Sequence, residues 1–523
     1  MSPTKKKVMF AGCSILAWVD MAEQLQREAG WVPCYWVGRE TIEKNVRLRF
    51  PSAVFQNHSD AIWARPASDH GWELPVLDEP LLTALAVTES LFLRMVDRID
   101  YAEVHSYTAR RGLYYKHVRF WSGVLDNYQP KVVFFPATPH QLYDFVLYSL
   151  CQLRGIRTIM FGLAFDLNRV FCKDDITQGS GVIAPSYAAM LQSHSGMMGT
   201  SFDSDVETRL TRITKSYDEG MPQFMVQQQT EDQKQPGRLT FRNVARTTWN
   251  AVRGSLGIIT AALSSDPARW QTAETIHRSI SENLYRDVIG PLRLTSLRRY
   301  YESLTSIEDI SENFIYLPLA YQPEQSSSPE GGMFVEQALI VDMLSKMIPP
   351  GWKIFIKEHP SQFRYFMGTN KASRSHAFYD ELLNRPNVRF LPLASNPFAL
   401  IDGARAVATV TGTSGWEALV RGKPVLHFGY PWWQGCEGAH YTPDIESCRL
   451  ALAKVSEKVE VDREKVRLFA LATQQQSCPG DVYWDSQVQS GCAADNPRVA
   501  ESVRQMVSLI MRYEAEFGGD IHP

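Results

Sequence analysis

Between residues 1 and 201, short apolar runs alternate with amphipathic stretches: Val8–Ala11, Val32–Val37, helical text over Leu81–Arg98, Val132–Phe135 and Thr158–Phe161. Runs that short, separated by helix-length text, predict a parallel sheet in an α/β unit. From 202 to 305 the strand signal disappears into polar, Gln-rich and Arg-rich helical text such as Met225–Gln235 and Ile276–Leu304. Strand-like runs resume at Phe314–Leu317, Lys353–Ile356, Val388–Leu391, Ala406–Val410 and Val425–Phe428, with helical stretches around Phe334–Met347, Ala377–Asn384 and Trp416–Arg421. The expected organisation is an α/β lobe over 1–201, a helical insertion over 202–305, a second α/β lobe over 306–496, and within 497–523 a helix that crosses back to the first lobe. No internal repeat is visible.

The sharpest local pattern is Ala406–Val410 running into Thr411-Gly412-Thr413-Ser414-Gly415-Trp416-Glu417. A β-branched run ending in glycine and hydroxyl residues, then turning into a helix, aims backbone N–H groups and the positive helix end at one spot, which suits a phosphate. Glu417, one turn in, is placed to take a ribose hydroxyl. The helix stops at Gly422, before Pro424. Two more strands empty into polar loops: Lys353–Ile356 into Lys357-Glu358-His359-Pro360, and Phe314–Leu317 into a loop holding Gln322, Glu324 and Ser326. In an open α/β sheet the loops at the carboxyl ends of strands converge on one crevice, so all three are expected to face one ligand. His359 would donate a hydrogen bond or a proton as charge develops on a phosphate oxygen, and Lys357 would offset that charge.

In the first half, Val132–Phe135 ends in a rigid proline-rich loop, Pro136-Ala137-Thr138-Pro139-His140, before a helix carrying Asp144. His140 and Asp144, four apart, would share a helix face as a base with its orienting carboxylate; an ordinary hydrogen-bonded pair at a helix start reads the same way. Asp166 is a third carboxylate candidate. Trp432 and Trp433, in a glycine-rich loop after Val425–Phe428, read either as a lid that stacks on sugar or base or as a packing cluster. Arg238, Arg242, Arg246, Arg253, Arg293, Arg298 and Arg299 punctuate the insertion, as a solvated helix face or as a peripheral contact with the anionic inner membrane.

Composition narrows the classes. At 44% hydrophobic and 11% aromatic residues the chain can build sizeable cores, and its formal net charge of −3 gives no bulk attraction to nucleic acid. The eight cysteines form no CxxC pair and have no histidine at ligand spacing, so reduced thiols in a cytoplasmic protein are expected. Lys5-Lys6-Lys7 before Val8–Val19 imitates a secretion signal, but Gly12, Ser14 and Asp20 fit strand, turn and helix better. No DxD stands at a strand end, and Asp174-Asp175 is a weak metal signal. No metal or other cofactor is expected, because His and Lys can supply the positive charge.

Gln322-Pro323-Glu324, Lys357-Glu358-His359-Pro360, and Gly412 through Leu419 with Gly422-Lys423-Pro424-Val425 together resemble the bacterial capsule and surface-polysaccharide glycosyltransferases, including capsule Kdo transferases and, more distantly, polysialyltransferases. The resemblance covers about Phe314–Tyr441 and, more loosely, Lys131–Phe165. It implies a GT-B fold, two Rossmann-like lobes with a donor nucleotide held by the second and a glycan or lipid-linked acceptor by the first. It also implies that His359-Pro360 and Thr413-Ser414 hold the phosphate of a nucleotide sugar, a CMP-ulosonate such as CMP-Kdo ahead of a UDP-sugar. The family's acidic pair followed by glycine is missing before the His-Pro, which leaves the catalytic group open among His140, Asp144 and Glu324. A sugar-nucleotide epimerase and a non-catalytic polysaccharide assembly or export partner are the alternatives.

Overall fold

The computed structural model describes residues 5–67, 71–100, 102–165, 169–192, 201–221, 280–307, 313–364, 373–457, 460–480 and 497–517, with Val226, Trp249 and Val252. The first lobe contains β1 (Lys6–Ala11), β2 (Trp31–Gly38), β3 (Val54–Asn57), β4 (Val132–Phe135) and β5 (Arg157–Ala164), followed by β6 (Arg169–Lys173). The first five are parallel in the order β3-β2-β1-β4-β5, and β6 lies antiparallel against β5. The uninterrupted apolar text of these strands follows from burial on both faces. In β1, Val8 and Phe10 enter one core layer, while Met9 and Ala11 enter the other. Phe10 stacks on Trp36 at 4.4 Å between ring centroids, a pairing worth about 0.5–1.5 kcal/mol beyond the area it buries. Between β1 and β2 the Leu16–Ala29 helix ends on Gly30, whose φ of 70° closes the last turn.

The second lobe holds β7 (Phe314–Pro318), β8 (Lys353–Lys357), β9 (Val388–Phe390), β10 (Ala406–Thr409), β11 (Val425–His427) and β12 (Ala439–Tyr441). All are parallel in the order β9-β8-β7-β10-β11-β12, the doubly wound arrangement. Here too alternate residues part: Ile354 and Ile356 pack in one layer, Phe355 in the other. Among the described residues of the 202–305 stretch, the Ser204–Thr214 helix buries Val206, Leu210 and Ile213 against the layer that holds Trp416, and the Gly290–Ser303 helix buries Leu297 and Tyr301 on the other side.

The chain then returns to the first lobe. β13 (Cys478–Pro479) pairs antiparallel with β6, and the Pro497–Phe517 helix lays Val503, Met506 and Ile510 over the layer of Val8 and Phe10. Its Glu514 bonds Lys6 at 2.7 Å and Arg157 at 3.0 Å. The architecture is α/β of the GT-B type, two Rossmann-like lobes. Among the described residues no helix is long and apolar enough to cross a membrane.

Candidate functional site

In each sheet the strand order reverses at the first strand, between β1 and β4 and between β7 and β10, which is where open α/β sheets take their ligands, beyond the carboxyl ends of the strands. The loop after β10 leads into the Thr413–Val420 helix. Gly412, at its N-cap, brings no side chain to satisfy the first turn. The N–H of Gly412 bonds Thr409 Oγ1 at 3.2 Å and that of Gly415 bonds Gly412 O at 2.9 Å, which leaves Thr413 and Ser414 to present N–H and hydroxyl groups at the helix start. Thr411 Oγ1 donates to Ser326 O at 2.6 Å, so the loops after β7 and β10 are tied together.

His359 lies two strands away, roughly 10 Å at the usual strand spacing. Its Nδ1 accepts the Ser361 N–H at 3.2 Å, which assigns the remaining proton to Nε2. Burial, with Lys357, Arg364 and Arg374 nearby, holds its pKa down at about 4, so at neutral pH it is an uncharged donor rather than an acid. Lys357, at the end of β8, is pushed down to about 8 by burial, against the pull of Glu302.

Sequence reasoning missed what holds this loop. Glu358 is fully buried and accepts from Arg374 Nε at 2.6 Å, Tyr379 Oη at 2.9 Å and the His359 N–H at 2.9 Å. Arg374 also donates to Gln322 Oε1 at 2.5 Å, Ser373 O at 2.9 Å and Ala320 O at 3.2 Å. A signal was available: by the two-residue strand period Glu358 falls on the face of Ile354 and Ile356, and a carboxylate aimed into a core needs a partner. Gln322, expected to bind the donor, is a strut instead. Its side chain joins Arg374 to the Val335 carbonyl, and its backbone exchanges both hydrogen bonds with Gln362.

Glu324 differs from the other carboxylates. It is solvent-exposed, yet protein packs densely around it and raises its pKa, while the Ser326 hydroxyl, donating at 2.7 Å, and Arg98 pull the other way. Arg98, from the first lobe, was also missed. It donates to the carbonyls of His140 and Ser328, one in each lobe, and its charge acts on both Asp144 and Glu324. Glu330 crosses the same seam, accepting from Thr138 Oγ1 at 2.6 Å and pairing with Lys173 at 3.6 Å.

In the first lobe His140 Nδ1 donates to Thr138 O at 2.7 Å, so Nε2 carries the lone pair, the tautomer opposite to that of His359. Burial and Arg98 hold its pKa near 3. The expected His140–Asp144 couple does not form. Asp144 is buried in the first turn of the Tyr143–Leu153 helix and accepts the Gln141 N–H at 2.6 Å, which holds the loop that leads into it, and burial raises its pKa to about 6. The helix begins there because Leu142, at φ 67°, turns the chain too sharply for His140 to join it.

Other expectations are corrected by packing. Glu417 is buried and pairs with Arg209 at 3.6 Å rather than facing a ribose. Trp433 is fully buried, so close to Gly415 that any Cβ there would lie 2.3 Å from the indole; Trp432 packs on Trp416 and Phe165, at 4.7 and 5.0 Å between centroids. These tryptophans form a joint between the lobes, not a lid. Asp175 caps a turn through the Thr177 N–H at 2.8 Å. Asp166, Arg238, Arg242, Arg246 and Arg253 lie outside the described residues, and Arg298 and Arg299 are exposed on the Gly290–Ser303 helix.

Among the described residues six imidazoles titrate low in the fold: His58, His359 and His427 near 4, His117 and His140 near 3, and His440 below its ordinary value, each chiefly through burial. Their folded pKa lies below the unfolded value, so the unfolded chain takes up more protons as pH falls. The stability they contribute is complete above about pH 6.5 and is lost as pH falls toward 4. His117 and His427, fully enclosed, should each cost about 2 kcal/mol between pH 6.5 and 5. Urea unfolding at pH 7 and pH 5 measures this; equal midpoints would mean that the imidazoles protonate inside the fold.

Residues 332–478 match the family model described as capsule polysaccharide biosynthesis protein, a stretch that includes His359, Pro360 and Gly412–Gly415. Over 86 residues the chain is 30% identical to the capsule polysaccharide modification protein LipA of Neisseria meningitidis serogroup A, which is 16% of this chain. It spans only 11% of the length of that relative. Among solved structures it is similar to the beta Kdo 2,7 transferase of Thermosulfurimonas dismutans KpsC, 12% identical over 72% of this chain and 86% of that one, with a TM-score of 0.26. It is also similar to the Methanocaldococcus jannaschii UDP-GlcNAc 2-epimerase in complex with UDP-GlcNAc and UDP, 8% identical over 90% and 99%, with a TM-score of 0.23.

Proposed function

We propose that this chain, whose residues 332–478 are of the capsule polysaccharide biosynthesis type within a GT-B frame, is a glycosyltransferase of surface-polysaccharide synthesis. It moves a sugar from a nucleotide-activated donor, a CMP-ulosonate before a UDP-sugar, to a glycan or lipid-linked acceptor. One observation carries the reading: the exposed carboxylate of Glu324 stands where the two lobes meet, on the loop tied to the bare N-terminus of the Thr413–Val420 helix. The helix N–H groups and His359 Nε2–H are suited to the donor phosphate, where negative charge grows as the bond to the sugar breaks. Glu324 takes the proton of the acceptor hydroxyl while its oxygen bonds to the anomeric carbon and the nucleotide leaves with the bonding pair. In a double displacement the same carboxylate would be the nucleophile. His140 Nε2 accepts a hydrogen bond from the acceptor. The reading calls on no metal, since Lys357 and Arg98 carry positive charge.

A thermal-shift series with CMP, CDP, UDP, GDP and ADP tests the donor half. One nucleotide should stabilise the protein by about 2.7 kcal/mol at a hundred times its dissociation constant, and His359→Ala should abolish the shift. Five flat responses from the wild type would remove the donor site from the second lobe.

A further inference from the structure

The long Tyr107–Tyr128 helix of the first lobe contains two glycines, and only one has a packing reason. A Cβ on Gly123 would lie 2.3 Å from the Trp72 ring, so the ring's approach requires glycine there. A Cβ on Gly112 would meet nothing within 4 Å. Glycine inside a helix is less stable than alanine, and at position 112 no neighbour within the fold calls for it.

Gly112, itself exposed, lines a cavity of about 270 Å³, just below the range that holds drug-sized ligands and suited to a single sugar residue. Its walls include Trp63, His105, Arg110, Leu113 and Lys116. The carboxylates of Asp97 and Asp100 stand behind Arg110 and fix its guanidinium, at 2.7 and 2.8 Å. Those contacts engage three of its five N–H groups, Nε–H and one on each terminal nitrogen, and leave two donors in a set orientation. Trp63 and His105, 5.9 Å apart between ring centroids, add an aromatic wall. The Val96–Arg98 turn separates this cavity from the cleft: Val96 lines the cavity while Arg98 reaches the His140 carbonyl.

We propose that this cavity is a second glycan subsite, one that takes a carboxylate-bearing sugar residue of the acceptor chain. The guanidinium and Lys116 receive the carboxylate, the indole receives the sugar face, and the exposed Gly112 keeps the rim free of a side chain. The assignment of the bound chain as acceptor rests on the transferase reading; the binding does not.

The test is titration of the full chain with trigalacturonate, and with maltotriose as the neutral counterpart, by calorimetry. Trigalacturonate should bind the wild type at least about tenfold more tightly than maltotriose. Gly112→Leu, which sets a large side chain of a better helix former against the cavity, should abolish that binding, and Trp63→Ala should weaken it about tenfold. The nucleotide-induced thermal shift should be the same in Gly112→Leu as in the wild type, which also reports that the variant is folded. Equal trigalacturonate affinity in wild type and Gly112→Leu, or equal affinity for the two sugars, overturns the proposal. A nucleotide shift without trigalacturonate binding overturns the subsite alone, and the reverse pattern overturns the transferase reading alone.

Discussion

Replacing Arg374 by alanine is expected to destabilise the second lobe by about 3–5 kcal/mol, the usual cost of leaving a buried charge without its partner. Both side chains of the Arg374–Glu358 pair are essentially inaccessible, at 1% and 0%. All five guanidinium N–H groups have acceptors, on Glu358, Gln322, Ser373 and Ala320, so the alanine variant strands the Glu358 carboxylate and several carbonyls together. Denaturant unfolding of the variant measures the loss. Arg374→Met with Glu358→Leu should recover most of it, because two apolar side chains remove the desolvation cost on both sides. A loss under about 1 kcal/mol in Arg374→Ala would show that water reaches the pair. The variant should also lose nucleotide binding beyond its loss of stability, because the same arginine fixes the loops that carry His359 and Glu324.

The second large effect concerns chemistry. Glu324→Gln should lower transfer by about 10²–10⁴, or roughly 3–5 kcal/mol of barrier, while leaving the nucleotide-induced thermal shift intact. Asp144→Asn should change transfer far less, since an asparagine oxygen can still accept the Gln141 N–H that the aspartate now binds. Steady-state rates of both variants with a CMP-sugar and a glycan acceptor decide between them. Loss in Asp144→Asn with retention in Glu324→Gln would exchange their roles.

Much of the scaffold was legible because buried parallel strands are written as short apolar runs. Val132–Phe135 coincides with β4, and Ala406–Val410 with β10 to within one residue. β3, β6, β12 and β13 escaped, because runs as brief as Val54–Asn57, Ala439–Tyr441 or Cys478–Pro479 carry too little periodicity to stand out, and pairing across some 300 residues leaves no local trace. Among the candidate site residues, His359, Thr413, Ser414 and Glu324 were nominated from strand-then-loop order, and the structure places His359 and Glu324 on loops beyond strand ends and Thr413 and Ser414 at a helix start. Those whose role depends on partners from elsewhere in the chain were not read correctly. Glu417 looked like a ribose ligand until Arg209 arrived from a helix two hundred residues earlier, and Trp433 looked like a lid until its ring was found against Gly415. Arg98 closes the seam between lobes, but in the sequence it is only the last cation of a helical stretch.

The return of the Pro497–Phe517 helix to the first sheet sets the order in which the molecule can be completed during synthesis. When the first lobe leaves the ribosome, the layer that includes Val8, Phe10 and Trp18 lacks Val503, Met506 and Ile510, and the edge of β6 lacks β13. That apolar face and strand edge stay open until the second lobe has been made, so a nascent chain exposes the surface that chaperones bind. The lobes are consecutive in space but interleaved in time, and a gene cut between them would leave the first half without the helix that covers its core.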